Sequence, residues 1–234
     1  MSRENKQNNY YLSPMRVKHP WWSRFVDGFM KNYSREEVAA NFFLSGGKCL
    51  DLGCGDGELI NKYLAERYRK LVGIDISPSL IKEANQRAKD NSKFYISDIE
   101  IFLNKMIKKK ITFSDVYMLA ILEHVFWPHD VLNKVSAIIK RGGRICIEVP
   151  NIAWLPYRLR MVFGHFPKTA PTSDVIPGVY DEHIRFYTIA SLDKLMSRAG
   201  FVRERLSCAG RLPFAKSLLP SLLSPDIVVV YKKI

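Results

Sequence analysis

Short apolar runs alternate with amphipathic stretches from residue 47 to residue 150. The apolar runs predict five strands, at 48–52, 70–75, 93–97, 113–120 and 144–149. The stretches between them carry apolar residues at helical spacing and predict helices at 57–68, 78–90, 98–110 and 128–140. Strands that alternate with helices of this length predict a parallel α/β sheet with helices on both faces.

Local signals place the ends of several elements. Ser77 and Pro78 are a typical N-cap and first residue of a helix. Gly142 and Gly143 are expected to end the helix before the fifth strand. Thr188 is expected to cap a helix that stops at Gly200, and two further strands are predicted at 201–208 and 226–233.

Two segments depart from the alternation. Residues 150–187 are rich in proline, glycine and aromatic residues, and we expect a substrate-side insertion there. Residues 1–46 are expected to form an N-terminal helical lid segment, with Tyr10, Tyr11, Trp21 and Trp22 folding over a ligand. Residues 47–234 then form one domain.

Composition restricts the function classes. The chain has 234 residues, of which 47% are hydrophobic and 25% charged, as in a folded globular domain. Its four cysteines have no C-x-x-C spacing, so no zinc site or disulfide framework is expected, and the reducing cytoplasm is the expected location. No apolar run approaches the roughly 18 residues of a membrane span. The net charge of +13 is compatible with a solvated basic surface, a nucleic acid, an anionic membrane or an acidic partner.

The segment CLDLGCGDG, residues 49–57, predicts a ligand site at the end of the first strand. Ligands of open parallel sheets bind beyond the carboxyl ends of the strands, and glycines allow a close approach of the backbone. Asp75 ends the second strand, where an acid accepts hydrogen bonds from ribose hydroxyls. Asp98 and Ile99 follow the third strand and could flank an adenine. Three adjacent strand ends thus have the groups that an adenosine needs.

Asp51 distinguishes between adenosine cofactors. The glycine spacing is G-x-G-x-G instead of the G-x-G-x-x-G of nicotinamide-binding sites. A carboxylate two residues before the first glycine would repel a pyrophosphate and attract an ammonium group. S-adenosylmethionine has an adenosine, a cationic methionyl tail and no phosphate.

The chain resembles the class I S-adenosylmethionine-dependent methyltransferases in four segments: DLGCGDG, GIDIS, SDIE and LAILEHV. The resemblance covers about residues 47–150. It implies a Rossmann-like α/β fold with seven mostly parallel strands, helices on both faces and an antiparallel last strand. The cofactor-binding residues expected on these grounds are Asp51, Gly53, Cys54, Gly55, Gly57, Asp75, Ile76, Asp98, Ile99 and Leu119.

The second half is similar to the MetW-like group and to related small-molecule methyltransferases. The similarity lies in Pro-Asn after the fifth strand and in YDEHIRFYT before the next helix. LAILEHV is more typical of ubiquinone-type enzymes. The preferred hypothesis is methylation of a small-molecule acceptor, on oxygen. The alternatives are a cofactor-binding protein that acts through a partner in methionine biosynthesis, or an RNA methyltransferase. A protein partner or a homodimer stays open.

Two histidines are the candidate catalytic residues. A hydroxyl acceptor needs a general base, and His124 follows the fourth strand while His183 lies in the insertion. Tyr180 and Asp181 are weaker candidates, and His129 is expected to cap a helix or to face solvent. Cys54 is expected to pack against the cofactor because nothing in the sequence activates it. No metal ligand set is predicted.

Overall fold

The structure is a computed structural model that describes residues 32–42, 46–167, 169 and 183–234. The strands are β1 (Asn32–Tyr33), β2 (Lys48–Leu52), β3 (Lys70–Asp75), β4 (Ser92–Ile96), β5 (Phe113–Leu119), β6 (Ile139–Pro150), β7 (Phe201–Cys208), β8 (Gly210–Arg211) and β9 (Asp226–Lys233). The helices are α1 (Arg35–Ala40), α2 (Pro78–Gln86), α3 (Ile99–Lys108), α4 (Pro128–Ile138), α5 (Leu155–Val162), α6 (Ile189–Arg198), α7 (Pro213–Leu218) and α8 (Pro220–Leu223). A π-helix covers Leu59–Leu64, and a 3-10 turn covers Leu122–His124.

Seven strands form one sheet in the order β4-β3-β2-β5-β6-β9-β7. The pairs from β4 to β6 are parallel, while β9 lies between β6 and β7 and is antiparallel to both. The predicted fold class is therefore confirmed. The chain order reverses between β2 and β5, and ligands of such sheets bind at this switch point.

The sheet separates two apolar cores. Alternate residues of each strand point to opposite faces, so every central strand contributes to both cores. One core packs α3, α4 and α6 against the sheet, with fully buried side chains such as Leu103, Leu132 and Met196. The other packs α1, the π-helix and α2 against the opposite face, with Ala39, Ile60 and Ala84. Helices thus cover both faces of the sheet, as predicted.

Two predicted helix boundaries were wrong. The helix predicted at 57–68 is a shorter π-helix. Gly142 and Gly143 do not end a helix, because α4 ends at Ile138 and β6 starts at the next residue. The glycines lie in a bulge where the β5–β6 register shifts. Gly143 lies so close to β5 that a Cβ there would come within 2.5 Å of the Ser114 carbonyl oxygen.

The segment between β7 and β9 has secondary structure of its own. It contains α7, α8 and β8, and β8 pairs with β1 in a second, two-stranded sheet. Asn151, fully buried after β6, donates through Nδ2 to the carbonyl oxygens of Ser221 and Ser224 at 3.1 and 2.9 Å. The side-chain amide therefore fixes α8 at the carboxyl end of the sheet.

The N-terminal segment is only partly described. Its described part contains β1 and α1, and Ser34 caps α1 by accepting from the Glu37 backbone N–H. The lid predicted for 1–46, with Tyr10, Tyr11, Trp21 and Trp22, lies mostly outside the described residues. None of the helices in the described ranges is long and apolar enough to cross a bilayer.

Candidate active site

A glycine-rich turn leaves β2 at the switch point of the sheet. The backbone N–H groups of Gly53 and Cys54 both donate to the Ile74 carbonyl oxygen, at 2.8 and 2.9 Å. The Gly55 N–H donates to Oδ2 of Asp75 at 3.0 Å. The turn is thus held against the end of β3, and its outer surface faces the carboxyl edge of the sheet.

A cavity of about 170 Å³ lies over this turn. Five predicted cofactor residues line it: Asp51, Gly53, Cys54, Gly55 and Leu119. Five residues that the sequence did not point to line it as well: Arg35, Glu36, Asp56, Glu58 and Leu59. The volume is below the roughly 300–1,000 Å³ of a whole small-molecule site, so this cavity fits one end of a cofactor.

Gly55 provides a test of whether a ligand fits here. Its φ is +53°, a conformation that side-chain-bearing residues rarely adopt. Gly55 lines the cavity, and a Cβ built on it would have no atom within 4 Å. Glycine at this position therefore keeps open a space that no neighbouring side chain of the protein fills.

Charge in the cavity is set by a buried carboxyl and a nearby guanidinium. Asp51 is 3% exposed, and burial, helped by Glu36 and Asp75, raises its pKa to about 8, while Arg35 opposes the shift. Arg35 also lies 3.7 Å from Oε2 of Glu148, a buried residue of β6 whose pKa burial raises to about 8. A ligand ammonium near Asp51 would lower the pKa of Asp51 and favour its ionised form.

The remaining predicted cofactor residues lie on the neighbouring strand ends. Asp75 already accepts from the Gly55 and Ser77 N–H groups, and a carboxylate has lone pairs for further donors. Asp98 accepts from the Glu100 and Ile101 N–H groups and caps α3. Gly57, Ile76 and Ile99 do not line the small cavity, and Ile76 is 66% exposed. The ribose and adenine roles of these residues stay predictions.

The two candidate catalytic histidines come together beyond β5. The His124 and His183 rings meet edge to face with centroids 4.9 Å apart. Nε2 of His183 lies 3.9 Å from Oε1 of Glu123, which is 1% exposed. Burial raises the pKa of Glu123 to about 7. Glu123 was not predicted as a site residue, although an acid next to His124 at the end of an apolar strand was a usable signal.

Backbone hydrogen bonds fix this cluster. The N–H groups of Ile184 and Arg185 donate to the Glu123 carbonyl oxygen at 3.0 and 3.1 Å. The Tyr187 hydroxyl donates to the Leu122 carbonyl oxygen at 3.3 Å. The segment that carries His183 is therefore attached to the loop after β5, and a histidine of the predicted insertion reaches the end of the sheet.

The cluster has the groups for two kinds of chemistry. A carboxylate next to an imidazole favours the protonated imidazole, which supports proton transfer. The ligand atoms of Glu123, His124 and His183 also lie within 4.8 Å of one another. Two imidazoles and a carboxylate suit a divalent transition metal. The sequence did not point to this donor set.

Expectations from the sequence also concern Cys54, His129, Tyr180 and Asp181. Burial raises the pKa of the Cys54 thiol far above its usual range, so Cys54 is no nucleophile at neutral pH. His129 lies in the first turn of α4 and makes no cap hydrogen bond, so its predicted capping role is wrong. Its side chain is about half exposed and contacts Asn133. Tyr180 and Asp181 lie outside the described residues.

The fold and the site are those of a class I methyltransferase, an enzyme with an adenosine-containing cofactor. A protein-family profile described as a methyltransferase domain matches residues 22–205. This match covers more than half of the chain, and the chain belongs to that family. The predicted resemblance to class I methyltransferases is confirmed, and with it S-adenosylmethionine as the cofactor, while the similarity to the MetW-like group stays a prediction.

Individual relatives agree with the family. The chain is 32% identical over 157 residues to a ubiquinone biosynthesis O-methyltransferase of Coxiella burnetii, covering 62% of this chain and 63% of that protein. The chain therefore spans less than two thirds of the curated relatives that match it at this level. It is 25% identical over 212 residues to a protein of the same name from Xanthomonas euvesicatoria, covering 86% and 85% of the two chains.

The fold also matches solved structures. An S-adenosylmethionine-dependent methyltransferase from Mesorhizobium loti superimposes with a TM-score of 0.61 at 16% identity, covering 85% of this chain and 97% of that one. At this identity the match supports the fold alone.

Proposed function

We propose that this protein transfers the methyl group of S-adenosylmethionine to a hydroxyl oxygen of a small-molecule acceptor. The observation that carries the proposal is the Glu123–His183 pair at the end of β5. Glu123 lies in the turn after β5, and Leu119, the last residue of β5, lines the cofactor cavity. The activity named for the two ubiquinone biosynthesis relatives supports oxygen as the acceptor atom.

Residues around the cavity would hold the cofactor by charge and hydrogen bonding. Asp51 would bind the ammonium group, and Arg35 would bind the carboxylate of the methionyl end. Asp75 would accept from the ribose hydroxyls, and Asp98 and Ile99 would flank the adenine. When bound, S-adenosylmethionine supplies an electrophilic methyl group on a sulfonium sulfur. Positioning of the acceptor is then the largest contribution, roughly 7–11 kcal/mol.

His183 would remove the acceptor proton. The His183 imidazole would take the proton from the acceptor hydroxyl, and the ionised Glu123 carboxylate beside Nε2 would stabilise the resulting imidazolium. His124 packs edge to face on His183 and is placed to orient the acceptor. Such a base contributes about 10²–10⁴-fold to the rate. Arg35 acts on the pKa of both Asp51 and Glu123, so it links the cofactor cavity with this pair electrostatically.

The cellular setting follows from the cysteines. Cys49, Cys54, Cys146 and Cys208 are free thiols buried in the fold. This supports the cytoplasm as the location, because free buried thiols persist in reducing compartments.

The test is transfer of methyl-labelled S-adenosylmethionine into a cell extract, with fractions of small molecules, RNA and protein counted separately. We expect label in the small-molecule fraction, and its loss by about 10²–10⁴-fold in His183→Ala. The same transfer after dialysis against a chelator distinguishes the two chemistries of the cluster, and an unchanged rate supports proton transfer. Label in RNA, or no transfer at all, would contradict the proposal in favour of the RNA-directed or partner-dependent alternatives.

A further inference from the structure

An exposed apolar stripe runs along α5, next to the candidate active site. Leu155, Leu159, Val162 and Phe163 are 42%, 50%, 78% and 74% exposed. Their spacing of three and four residues puts them on one face of the helix. None of the residues of α5 is buried. A globular protein normally turns such a stripe towards its core, so this helix presents its apolar face to something outside the described fold.

The stripe continues to the loop that follows β5. Phe166 meets Phe186 with ring centroids 5.8 Å apart. Arg185, the neighbour of Phe186, donates through Nη2 to the Phe126 carbonyl oxygen at 2.7 Å. Phe126 and Trp127 are 71% and 67% exposed, two and three residues after His124. We call the surface formed by the α5 stripe, Phe166, Phe186, Phe126 and Trp127 the apolar rim.

The sequence of α5 and of the residues directly after it is positively charged. Residues 151–169 include Arg158, Arg160 and Lys168 and have no aspartate or glutamate. Arg158 and Arg160 flank the stripe on either side in helical projection, at about 100° per residue. A helix with an apolar face, flanking arginines and exposed aromatic residues is typical of segments that lie in a bilayer interface. The chain as a whole adds a net charge of +13.

We propose that the apolar rim docks on the surface of an anionic lipid membrane. The apolar side chains would enter the boundary between headgroups and acyl chains. Arg158 donates to Ala153 and Ser221, and Arg160 donates to Phe166. The remaining N–H groups of the two arginines would face lipid phosphates. The candidate base His183 lies three residues before Phe186, so docking would turn the acceptor side of the active site to the membrane. An acceptor dissolved in the bilayer could then enter without crossing water. Docking itself does not depend on the methyl-transfer proposal.

The test is flotation of the full chain with vesicles of phosphatidylcholine alone and of phosphatidylcholine with an equal part of phosphatidylglycerol. We expect binding to the anionic vesicles and at least tenfold weaker binding to the neutral ones. The double variant Val162→Glu and Phe163→Glu should lower the anionic-vesicle affinity by about tenfold or more. Both side chains are exposed, so thermal unfolding should stay as in the wild type.

A matched control separates local docking from total charge. Val202 and Ile234, 52% and 70% exposed, lie on β7 and after β9, away from the apolar rim. The double variant Val202→Glu and Ile234→Glu makes the same change in charge and should bind as the wild type. Equal loss in both doubles, or no vesicle binding of the wild type, would overturn the proposal. Self-association of the wild type that is abolished by the rim double variant, and not by the control double variant, would also overturn the proposal, because the apolar rim would then be an interface between copies of this chain.

Discussion

Gly55→Ala tests the cofactor site with little damage to the fold. The new methyl group would meet no atom within 4 Å, so the cost to folding comes from the backbone conformation at φ +53°. That cost is roughly 1–2 kcal/mol for a left-handed residue with a side chain. Gly55 lines the cavity of about 170 Å³ that we assign to the methionyl end, so we expect the added methyl group to take space that the cofactor needs. Overpacking of this kind costs roughly 1–3 kcal/mol, or about 5- to 150-fold in affinity.

Gly142→Ala is the control for backbone strain. Gly142 has a φ of +75° and open space around its Cβ position. It lies in the bulge near the start of β6, at the edge of the sheet opposite to the cofactor turn. Both variants should lose a similar free energy of unfolding in denaturant titrations. Calorimetric titration with S-adenosylhomocysteine should show weaker binding for Gly55→Ala alone. Wild-type affinity in Gly55→Ala, or an equal loss in Gly142→Ala, would refute the assigned position of the cofactor.

Three further predictions concern carboxylates. Asp75→Ala should weaken S-adenosylhomocysteine binding in the same titration by about 1–3 kcal/mol, because charge-assisted hydrogen bonds are lost; unchanged affinity would remove Asp75 from the site. Burial raises the pKa of Glu123 to about 7, so the wild-type methyl-transfer rate should rise with pH through this value as the carboxylate ionises. Glu123→Gln should lose that rise. An identical pH profile in the wild type and the variant would contradict the pairing of Glu123 with His183. The raised pKa of Glu148, about 8, means that the folded state binds more protons than the unfolded state between about pH 4 and 8. The free energy of unfolding should therefore fall as pH rises through this window, and it should fall less in Glu148→Gln; equal slopes in urea titrations would contradict the assigned pKa.

The strands and the cofactor turn could be predicted because their signals are local. The strands β2, β3 and β9 are short and largely apolar runs, and they match their predicted bounds. The predicted bounds of β7 are matched as well. The turn after β2 needs glycines and an acid within nine residues of sequence. Gly142 and Gly143 were misinterpreted because a glycine pair has the same appearance in a helix end and in a bulge. Only the proximity of Ser114 on β5 decides between them.

The missed site residues depend on tertiary contacts. Arg35 has no motif around it, and its importance appears only when α1 packs over the ends of β2 and β6, next to Asp51 and Glu148. Glu123 was visible beside His124, but its pairing with His183 joins positions 60 residues apart in the chain. Such pairs follow from the folded sheet and not from spacing in the sequence.

The central claim is that the turn after β2 binds S-adenosylmethionine through a cationic methionyl end. Calorimetric titration of the wild-type protein with S-adenosylhomocysteine and with NAD tests this claim most directly. We predict that one S-adenosylhomocysteine binds per chain and that NAD does not bind. The affinity for S-adenosylhomocysteine should rise between pH 6.5 and 8.5, because Asp51, whose pKa is raised to about 8, ionises in this range. Binding of NAD, or no binding of S-adenosylhomocysteine at any of these pH values, would contradict the account.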